Sequence, residues 1–234
     1  DLPGHGLTVA KTDETYTAES MANFVAEFTT TIGVERFAVA GNSMGGGVAS
    51  RVAMQFPGRV THLIPIDSAG LVPPNMPEPP AFFYLVRTPV LRDFLRLIPG
   101  RPVAEATLKA SFANQMLVTP EMVDRYWELN RGPGIRKATR ARFSMPIEYY
   151  LGEDKFFREN LPKLTIPALV LWGRQDKLIP VEAAELFKQA IPGAQMIIYD
   201  DGGHILQEDL AERSAADVRA FLMPPPAVPA PAAP

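Results

Sequence analysis

The sequence predicts an α/β fold in which a mostly parallel sheet is covered by helices and interrupted by an inserted helical cap. Short apolar runs alternate with helix-like segments in both halves of the chain, and this order is typical of a parallel sheet. Residues 72–148 lack the alternation and begin with closely spaced prolines, which indicates an insertion. Glycine-rich turns follow several apolar runs directly, at the carboxyl ends of the predicted strands.

The composition fits a globular protein with one sizeable core, since 47% of the 234 residues are hydrophobic and 21% are charged. The net charge of -3 and the scattered basic residues give no reason to expect a nucleic-acid partner. Zero cysteines exclude disulfides and cysteine-ligated metals but leave the compartment open, with the cytoplasm as the default. No apolar run is long enough to span a bilayer.

The chain opens with the turn-like residues 1–6, DLPGHG. Since no strand comes before them, we expect them to follow a strand whose body lies upstream, so that early strands of the sheet are missing. A helix is predicted next, between an N-cap at Thr17 and Gly33. Its apolar residues recur at helical spacing: Met21, Phe24, Val25, Phe28 and Ile32.

Strands are predicted at residues 37–40 and 60–66, with a helix at 44–56 between them. Pro65 conflicts with the second strand because proline has no N–H to donate, so we expect a bulge or an early strand end there. The alternation resumes after the cap with a strand at 168–172, a helix at 181–191, a strand at 195–199 and a helix at about 208–222.

The cap divides the sheet domain into two parts. We predict a core of residues 1–71 and 149–222, a helical cap of residues 72–148, and a disordered proline- and alanine-rich tail of residues 223–234. Most apolar cap residues should pack together, and a minority should line a pocket beneath the cap. They recur at helical spacing: Phe82, Phe83, Leu85, Val86, Val90, Leu91, Phe94, Leu95, Leu108, Phe112, Met116, Met122, Val123, Tyr126 and Leu129.

Ser43 is the predicted nucleophile. It lies in the stretch GNSMGG, residues 41–46, between a predicted strand and a predicted helix, and it fits the pattern G-x-S-x-G. Glycines on both sides permit a tight turn from which the hydroxyl projects. The start of the following helix favours a developing oxyanion, and the Met44 N–H is a natural donor. The alternative is a glycine-rich turn whose serine has no catalytic role.

A serine hydroxyl needs a base to attack, and the chain has three histidines. His204 is the predicted base because it follows the last strand, and parallel strands deliver their carboxyl ends to the edge where Ser43 also lies. His5 stands between two glycines of a turn, and His62 lies inside a strand. Both are therefore expected to have structural roles.

Asp176 is the predicted carboxylate partner of the histidine, since it follows the strand that precedes the histidine strand. Asp67, after the strand that follows the nucleophile, is the rival. Asp154 has a weaker claim, because it does not end a strand. Asn42 either orients nearby loops or is only a turn residue. We expect no metal and no cofactor, because these residues account for the chemistry and no histidine pair stands at ligand spacing.

Four stretches together resemble the α/β-hydrolase fold family, from Asp1 to about Leu222: DLPGHG, GNSMGG, WGRQD at 172–176 and GGH at 202–204. The resemblance implies a catalytic triad of Ser43, Asp176 and His204, an oxyanion donor at the Met44 N–H, and a small-molecule substrate. It also implies a second oxyanion donor on an upstream loop. Residues 1–234 alone are therefore expected to expose a sheet edge and to be poorly soluble and nearly inactive.

The nucleophile stretch is similar to that of the meta-cleavage product hydrolases, which cut a carbon-carbon bond in dienoic acids. Those enzymes carry tryptophan after the catalytic histidine, where this chain has Ile205. They also carry a cap arginine directly before a tryptophan, whereas here Tyr126 precedes Trp127 and Arg125 is one residue off. These departures favour a small carboxylic ester as the substrate.

Three other functions stay open at this point. They are carbon-carbon bond hydrolysis, a cofactor-free perhydrolase that uses the same triad, and a non-catalytic member of the fold that binds a ligand. Epoxide opening and halide removal use an aspartate nucleophile in this family, and Ser43 argues against both. The sequence does not indicate an oligomeric state.

Overall fold

The computed structural model describes residues 1–9, 16–74 and 100–223. The predicted cap helices between 82 and 95 and the tail beyond Met223 lie outside these residues. The described elements are α1 (Ala18–Thr31), β1 (Phe37–Asn42), α2 (Met44–Gln55), β2 (Val60–Ile66), α3 (Gly100–Ser111), α4 (Pro120–Leu129), α5 (Ile135–Phe143), α6 (Ile147–Asn160), β3 (Leu169–Gly173), α7 (Glu182–Ala190), β4 (Gln195–Tyr199), α8 (Leu206–Asp209) and α9 (Ala211–Leu222).

The described strands form one parallel sheet in the order β1-β2-β3-β4. The predicted α/β fold with a parallel sheet is therefore confirmed. The carboxyl ends of the strands lie at one edge, so the turns that follow them meet there. β1 is the edge strand of the described sheet, and its Ala38 and Ala40 side chains are exposed.

Pro65 lies inside β2, which continues through it. The N–H groups of Leu63 and Asp67, two residues to either side, donate to main-chain carbonyls on the β3 side. The proline therefore removes one hydrogen bond toward β3 and leaves the pairing with β1 intact. The expected bulge or early end at this position is wrong, since the register shift lies at the other end, between Phe37 and Ala38.

Helix α1 begins as predicted, because the Thr17 side chain accepts a hydrogen bond from the Ser20 N–H at 3.1 Å. Its apolar stripe is only partly buried. Phe28 and Ile32 are 52% and 54% exposed. The helix contacts α2 and buries Met21, Ala22, Ala26 and Thr29.

The core on one face of the sheet centres on three aromatic rings. The ring of Phe187 lies 6.2 Å from that of Phe157 and 6.0 Å from that of Trp172, and all three side chains are buried. Phe157 belongs to α6, which spans the predicted boundary between 148 and 149. Helix α6 also carries Glu153, which pairs with the buried Arg51 of α2 at 2.8 Å. The division into core and cap stays a prediction.

The helices α3 to α5, residues 100–143, lie between β2 and β3 in the chain, and we call them the helical insertion. The single helix expected at 208–222 is two helices, α8 and α9, which meet at Leu210 with φ -130 and ψ 47. The buried Asp209 ends α8 and accepts hydrogen bonds from other segments. Within the described ranges, no helix has the length and apolar character to cross a membrane.

Candidate active site

Ser43 lies between the last residue of β1 and the first residue of α2, with φ 56 and ψ -121. A positive φ strains a residue that has a side chain, so the surrounding structure must hold it. The Ser43 N–H donates to the Ile66 carbonyl at 2.9 Å, and the Ser43 carbonyl accepts from the N–H groups of Gly46 at 3.0 Å and Ala69 at 2.9 Å. The turn is thus fixed by its own helix and by the residues that end β2.

Two glycines let this turn form. A Cβ on Gly41 would lie 2.1 Å from the carbonyl oxygen of Gly45, and a Cβ on Gly46 would lie 2.5 Å from the Ser68 Oγ. A Cβ on Gly45 would meet no atom within 4 Å among the described residues. Within the described residues, the turn therefore requires glycine at positions 41 and 46. At Gly45, the second glycine of the G-x-S-x-G pattern, there is room for a side chain.

We expect Gly41→Ala to destabilise the fold by about 3 kcal/mol, the upper end of the usual cost of overpacking, because the added methyl group meets main chain that cannot rotate away. Gly45→Ala is the matched control, since it adds the same methyl group four residues later without a contact. Urea unfolding of both variants measures the difference. Equal stabilities of the two variants would contradict the role given to Gly41.

His204 and Asp176 are in contact. The His204 Nδ1 lies 2.7 Å from the Asp176 Oδ2, and their side chains are 7% and 0% exposed. The other carboxylate oxygen of Asp176 accepts from the N–H groups of Leu178 at 2.7 Å and Ile179 at 3.0 Å. These bonds fix the carboxylate, so the imidazole is oriented through Nδ1 and Nε2 stays available for proton transfer.

Asn42 connects the end of β1 with the histidine loop. Its Nδ2 donates to the His204 carbonyl at 2.7 Å and, at 3.3 Å, to the carbonyl of Ile66. The loop-orienting interpretation of Asn42 therefore fits its contacts. Among the described residues, Ser43 Oγ makes no hydrogen bond to His204. Catalytic hydrogen bonds are often long before substrate binds, so the absence of this hydrogen bond does not exclude Ser43 as the nucleophile.

Met44 is the first residue of α2, so its N–H has no acceptor within the helix. This leaves the N–H free to stabilise negative charge next to Ser43. The structure thus brings Asp176 and His204 together and holds Ser43 and Met44 on the adjacent turn. The catalytic roles of these residues remain predictions.

The rival carboxylate Asp67 has a different environment. Its side chain is fully buried, its Oδ1 accepts from the Gly173 N–H at 2.8 Å, and its Oδ2 has no partner among the described residues. Burial, together with the smaller effect of the nearby carboxylates of Asp176 and Asp209, raises the pKa of Asp67 to about 9. A neutral acid without a bond to His204 does not stabilise an imidazolium ion.

The raised pKa of Asp67 predicts a pH effect on stability. Between the ordinary pKa of an aspartate in the unfolded chain, 3.8, and about 9, the folded protein holds one proton more than the unfolded one at this site. The contribution of Asp67 is therefore complete below about pH 4 and is lost as the pH rises toward 9. Asp67→Asn should remove this component, so its free energy of unfolding should fall less from pH 5 to pH 8 than that of the parent chain. Parallel slopes in urea titrations would contradict the assignment.

The other histidines and the third candidate carboxylate make contacts that fit structural roles. His5 Nδ1 is 3.2 Å from the Pro3 carbonyl, and burial lowers the pKa of His5 to about 4. The ring of His62 packs edge-on against Phe221 at 5.4 Å. Asp154 accepts from the main chain after β2 and pairs with a neighbouring arginine of α6.

One residue of the site was missed by the sequence interpretation. The buried Asp209 accepts a hydrogen bond from the Gly203 N–H at 2.7 Å, directly before His204. Its position five residues after the histidine is the only signal in the sequence, and an acidic residue in a helix is usually exposed.

A cavity of about 470 Å³ lies between the opening turn and the helical insertion. Tyr126 and Leu129 line it from α4, and Gly4 and His5 line it from the opposite side. Ser43, Asp176 and His204 do not line it. Among the residues that the structure describes, no three histidine or acidic side chains are grouped as metal ligands would be.

The sequence matches the family described as alpha/beta hydrolase fold over residues 1–210. A 2-hydroxymuconate semialdehyde hydrolase of Pseudomonas putida is 28% identical over 224 residues, which cover 95% of this chain and 75% of that protein. Lipase 3 of Moraxella sp. is 27% identical over 231 residues, which cover 94% of this chain and 67% of that protein.

Solved structures agree with the fold. A meta-cleavage product hydrolase from Pseudomonas fluorescens superposes with a TM-score of 0.79 at 20% identity. The match covers 95% of this chain and 77% of that one. At this identity the likeness concerns the fold alone.

Proposed function

The chain belongs to the alpha/beta hydrolase fold family and is a hydrolase of that class, and we propose that it is a serine hydrolase that transfers an acyl group through Ser43, His204 and Asp176. The observation that carries the proposal is the 2.7 Å contact between His204 Nδ1 and Asp176, beside a serine held at φ 56 on the same edge of the sheet. A strained serine next to an oriented imidazole is the arrangement that nucleophilic acyl transfer needs.

The proposed reaction has two steps. Ser43 Oγ attacks the substrate carbonyl while His204 Nε2 takes its proton, and the Met44 N–H stabilises the oxyanion. His204 then gives the proton to the leaving alcohol as the carbonyl re-forms, which leaves an ester on Ser43. Water attacks this ester in the same way, so the products are one carboxylic acid and one alcohol.

We propose a small carboxylic ester as the substrate. Lipase 3 of Moraxella sp., a relative at 27% identity, is named for ester chemistry. Carbon-carbon bond hydrolysis is the second candidate, because a 2-hydroxymuconate semialdehyde hydrolase is 28% identical. The sequence favours the ester, because Ile205 stands after His204 where the carbon-carbon bond hydrolases carry tryptophan, and Arg125 is one residue from the position of their cap arginine.

The test is covalent labelling with a fluorophosphonate, followed by peptide mapping. We expect the label on Ser43 and no label on the variant Ser43→Ala. Ser68→Ala is the matched control, because Ser68 lies beside the turn but is buried and donates to the Ala69 carbonyl at 2.8 Å. A folded, active chain that labels at another serine, or not at all, would overturn the proposal.

The same preparation separates the two substrate classes. Turnover of p-nitrophenyl esters of increasing acyl length is compared with turnover of a panel of dienoic acids. Faster turnover of a short ester supports the first candidate. Cleavage of a dienoic acid with a higher kcat/KM than any ester would replace it by the second.

A further inference from the structure

The helical insertion touches the histidine loop through main chain. The N–H of His204 donates to the carbonyl of Ser111, the last residue of α3, at 2.7 Å. A Cβ on Gly203 would lie 2.6 Å from both the Ala113 nitrogen and the Ser111 oxygen. The two segments are therefore packed so closely that only glycine fits before the histidine, and a shift of either segment moves the other.

Asp209 is the acceptor that both segments share. Its Oδ2 accepts from the Gly203 N–H at 2.7 Å and from the Ala113 N–H at 2.9 Å, and its Oδ1 lies 3.4 Å from the Asn114 nitrogen. The residue is 6% exposed and has no ion pair with a described residue. A buried carboxylate is costly unless N–H groups compensate its charge, and here the N–H groups come from both segments.

Side chains extend the same contact. Ile205, directly after His204, packs against the apolar cluster of the insertion formed by Leu108, Phe112 and Val123. The residue before Asp209, Glu208, accepts from the Tyr126 hydroxyl at 2.5 Å. The residues that flank His204 on the carboxyl side are thus held by the insertion as well as by the sheet.

We propose that Asp209 is a positioning residue that couples the helical insertion to His204, so that the imidazole lies correctly for Ser43 only when the insertion is seated on the histidine loop. The inference rests on the proposed role of His204 as the base. It gives the insertion a second role besides lining a pocket, because a displacement of α3 or α4 is transmitted to the base through the shared acceptor. A displacement of about 1 Å at a catalytic group is enough to lower turnover by as much as about 10²-fold.

The test compares Asp209→Ala with Asp201→Ala in the full chain, because alanine removes the shared acceptor, whereas the amide oxygen of an asparagine could still accept from Gly203 and Ala113. Asp201 lies two residues before Gly203 but is exposed, and its partner among the described residues is Arg213, at 2.6 Å, so its variant changes the same residue type without touching the insertion. For Asp209→Ala we expect kcat on a small ester to fall roughly 10- to 100-fold with KM within about threefold. Amide exchange should accelerate together at 203–204 and 111–114, and the ring signal of His204 should shift. The chain has three histidines, so His204→Ala identifies that signal in an NMR spectrum.

The outcomes separate this proposal from the proposed function. Faster exchange at 111–114 alone, with an unshifted His204 signal and kcat within threefold of the parent chain, would overturn the coupling. Absence of Ser43 labelling in the parent chain would overturn the hydrolase mechanism, while exchange and NMR would still decide the coupling. If Asp209→Ala does not fold, Val123→Ala takes its place, because it loosens the apolar cluster of the insertion and leaves Asp209 intact. A shifted His204 signal in that variant supports the coupling, and an unshifted one opposes it.

Discussion

Ser43→Ala is expected to lower ester turnover by about 10⁴-fold or more, and His204→Ala by a similar factor. Both residues act in the same proton transfer, so loss of either leaves the attack without its nucleophile or without its base. The double variant should therefore be about as slow as each single variant. Single-turnover kinetics on a p-nitrophenyl ester measure all three.

Stability must be checked beside turnover, because Ser43 occupies a strained position with φ 56. Alanine at this position keeps the strain and removes only the hydroxyl, so we expect the midpoint of thermal unfolding to change little. Ser68→Ala again serves as the control and should keep turnover within a few fold. A Ser43→Ala variant with a tenth or more of the parent turnover would exclude Ser43 as the nucleophile.

The fold class was predictable because its signals are local. The strand, turn and helix around Ser43 are consecutive in the sequence, so periodicity and glycine placement locate them without tertiary information. The approach of Asp176 to His204, 28 residues apart, also follows from sequence, since both lie in loops that follow neighbouring parallel strands. The catalytic roles of these residues stay predictions that the variants test.

Other features depend on distant parts of the chain. Asp209 accepts from Ala113, which is 96 residues away, and no local pattern indicates this contact. Phe28 belongs to the apolar stripe of α1 but is half exposed. Periodicity shows on which face of the helix a residue lies, but it does not show which segment packs against that face. Pro65 was expected to disturb β2. Its missing N–H would point toward β3, with which β2 forms few pairs, so β2 continues through the proline. In these three examples the environment of a residue depends on contacts with distant segments, which the residue type alone does not indicate.

The two buried aspartates Asp176 and Asp67 should differ strongly in their response to substitution by asparagine. Asp176→Asn is expected to lower turnover roughly 10³- to 10⁴-fold, because an amide cannot stabilise the imidazolium ion and its NH₂ group favours the wrong imidazole tautomer. Asp67→Asn should keep turnover within about tenfold, since the amide oxygen can still accept from the Gly173 N–H, which lies 2.8 Å from the Asp67 Oδ1. An asparagine also resembles the neutral acid that burial imposes on Asp67, whose pKa is raised to about 9.

Both variants exchange one oxygen for a nitrogen of nearly equal size, so each is the steric control for the other. We compare the turnover of the two variants at equal folded fraction. Because the change in packing is the same in both, the ratio reports the charge of the carboxylate and its bond to His204. Asp176 has that bond at 2.7 Å, and Asp67 has none among the described residues. If Asp67→Asn were the more damaging variant, Asp67 would be the acid that supports the base. The contact between Asp176 and His204 would then be structural, and the carboxylate that stabilises the imidazolium ion would lie at the end of β2 instead of after β3.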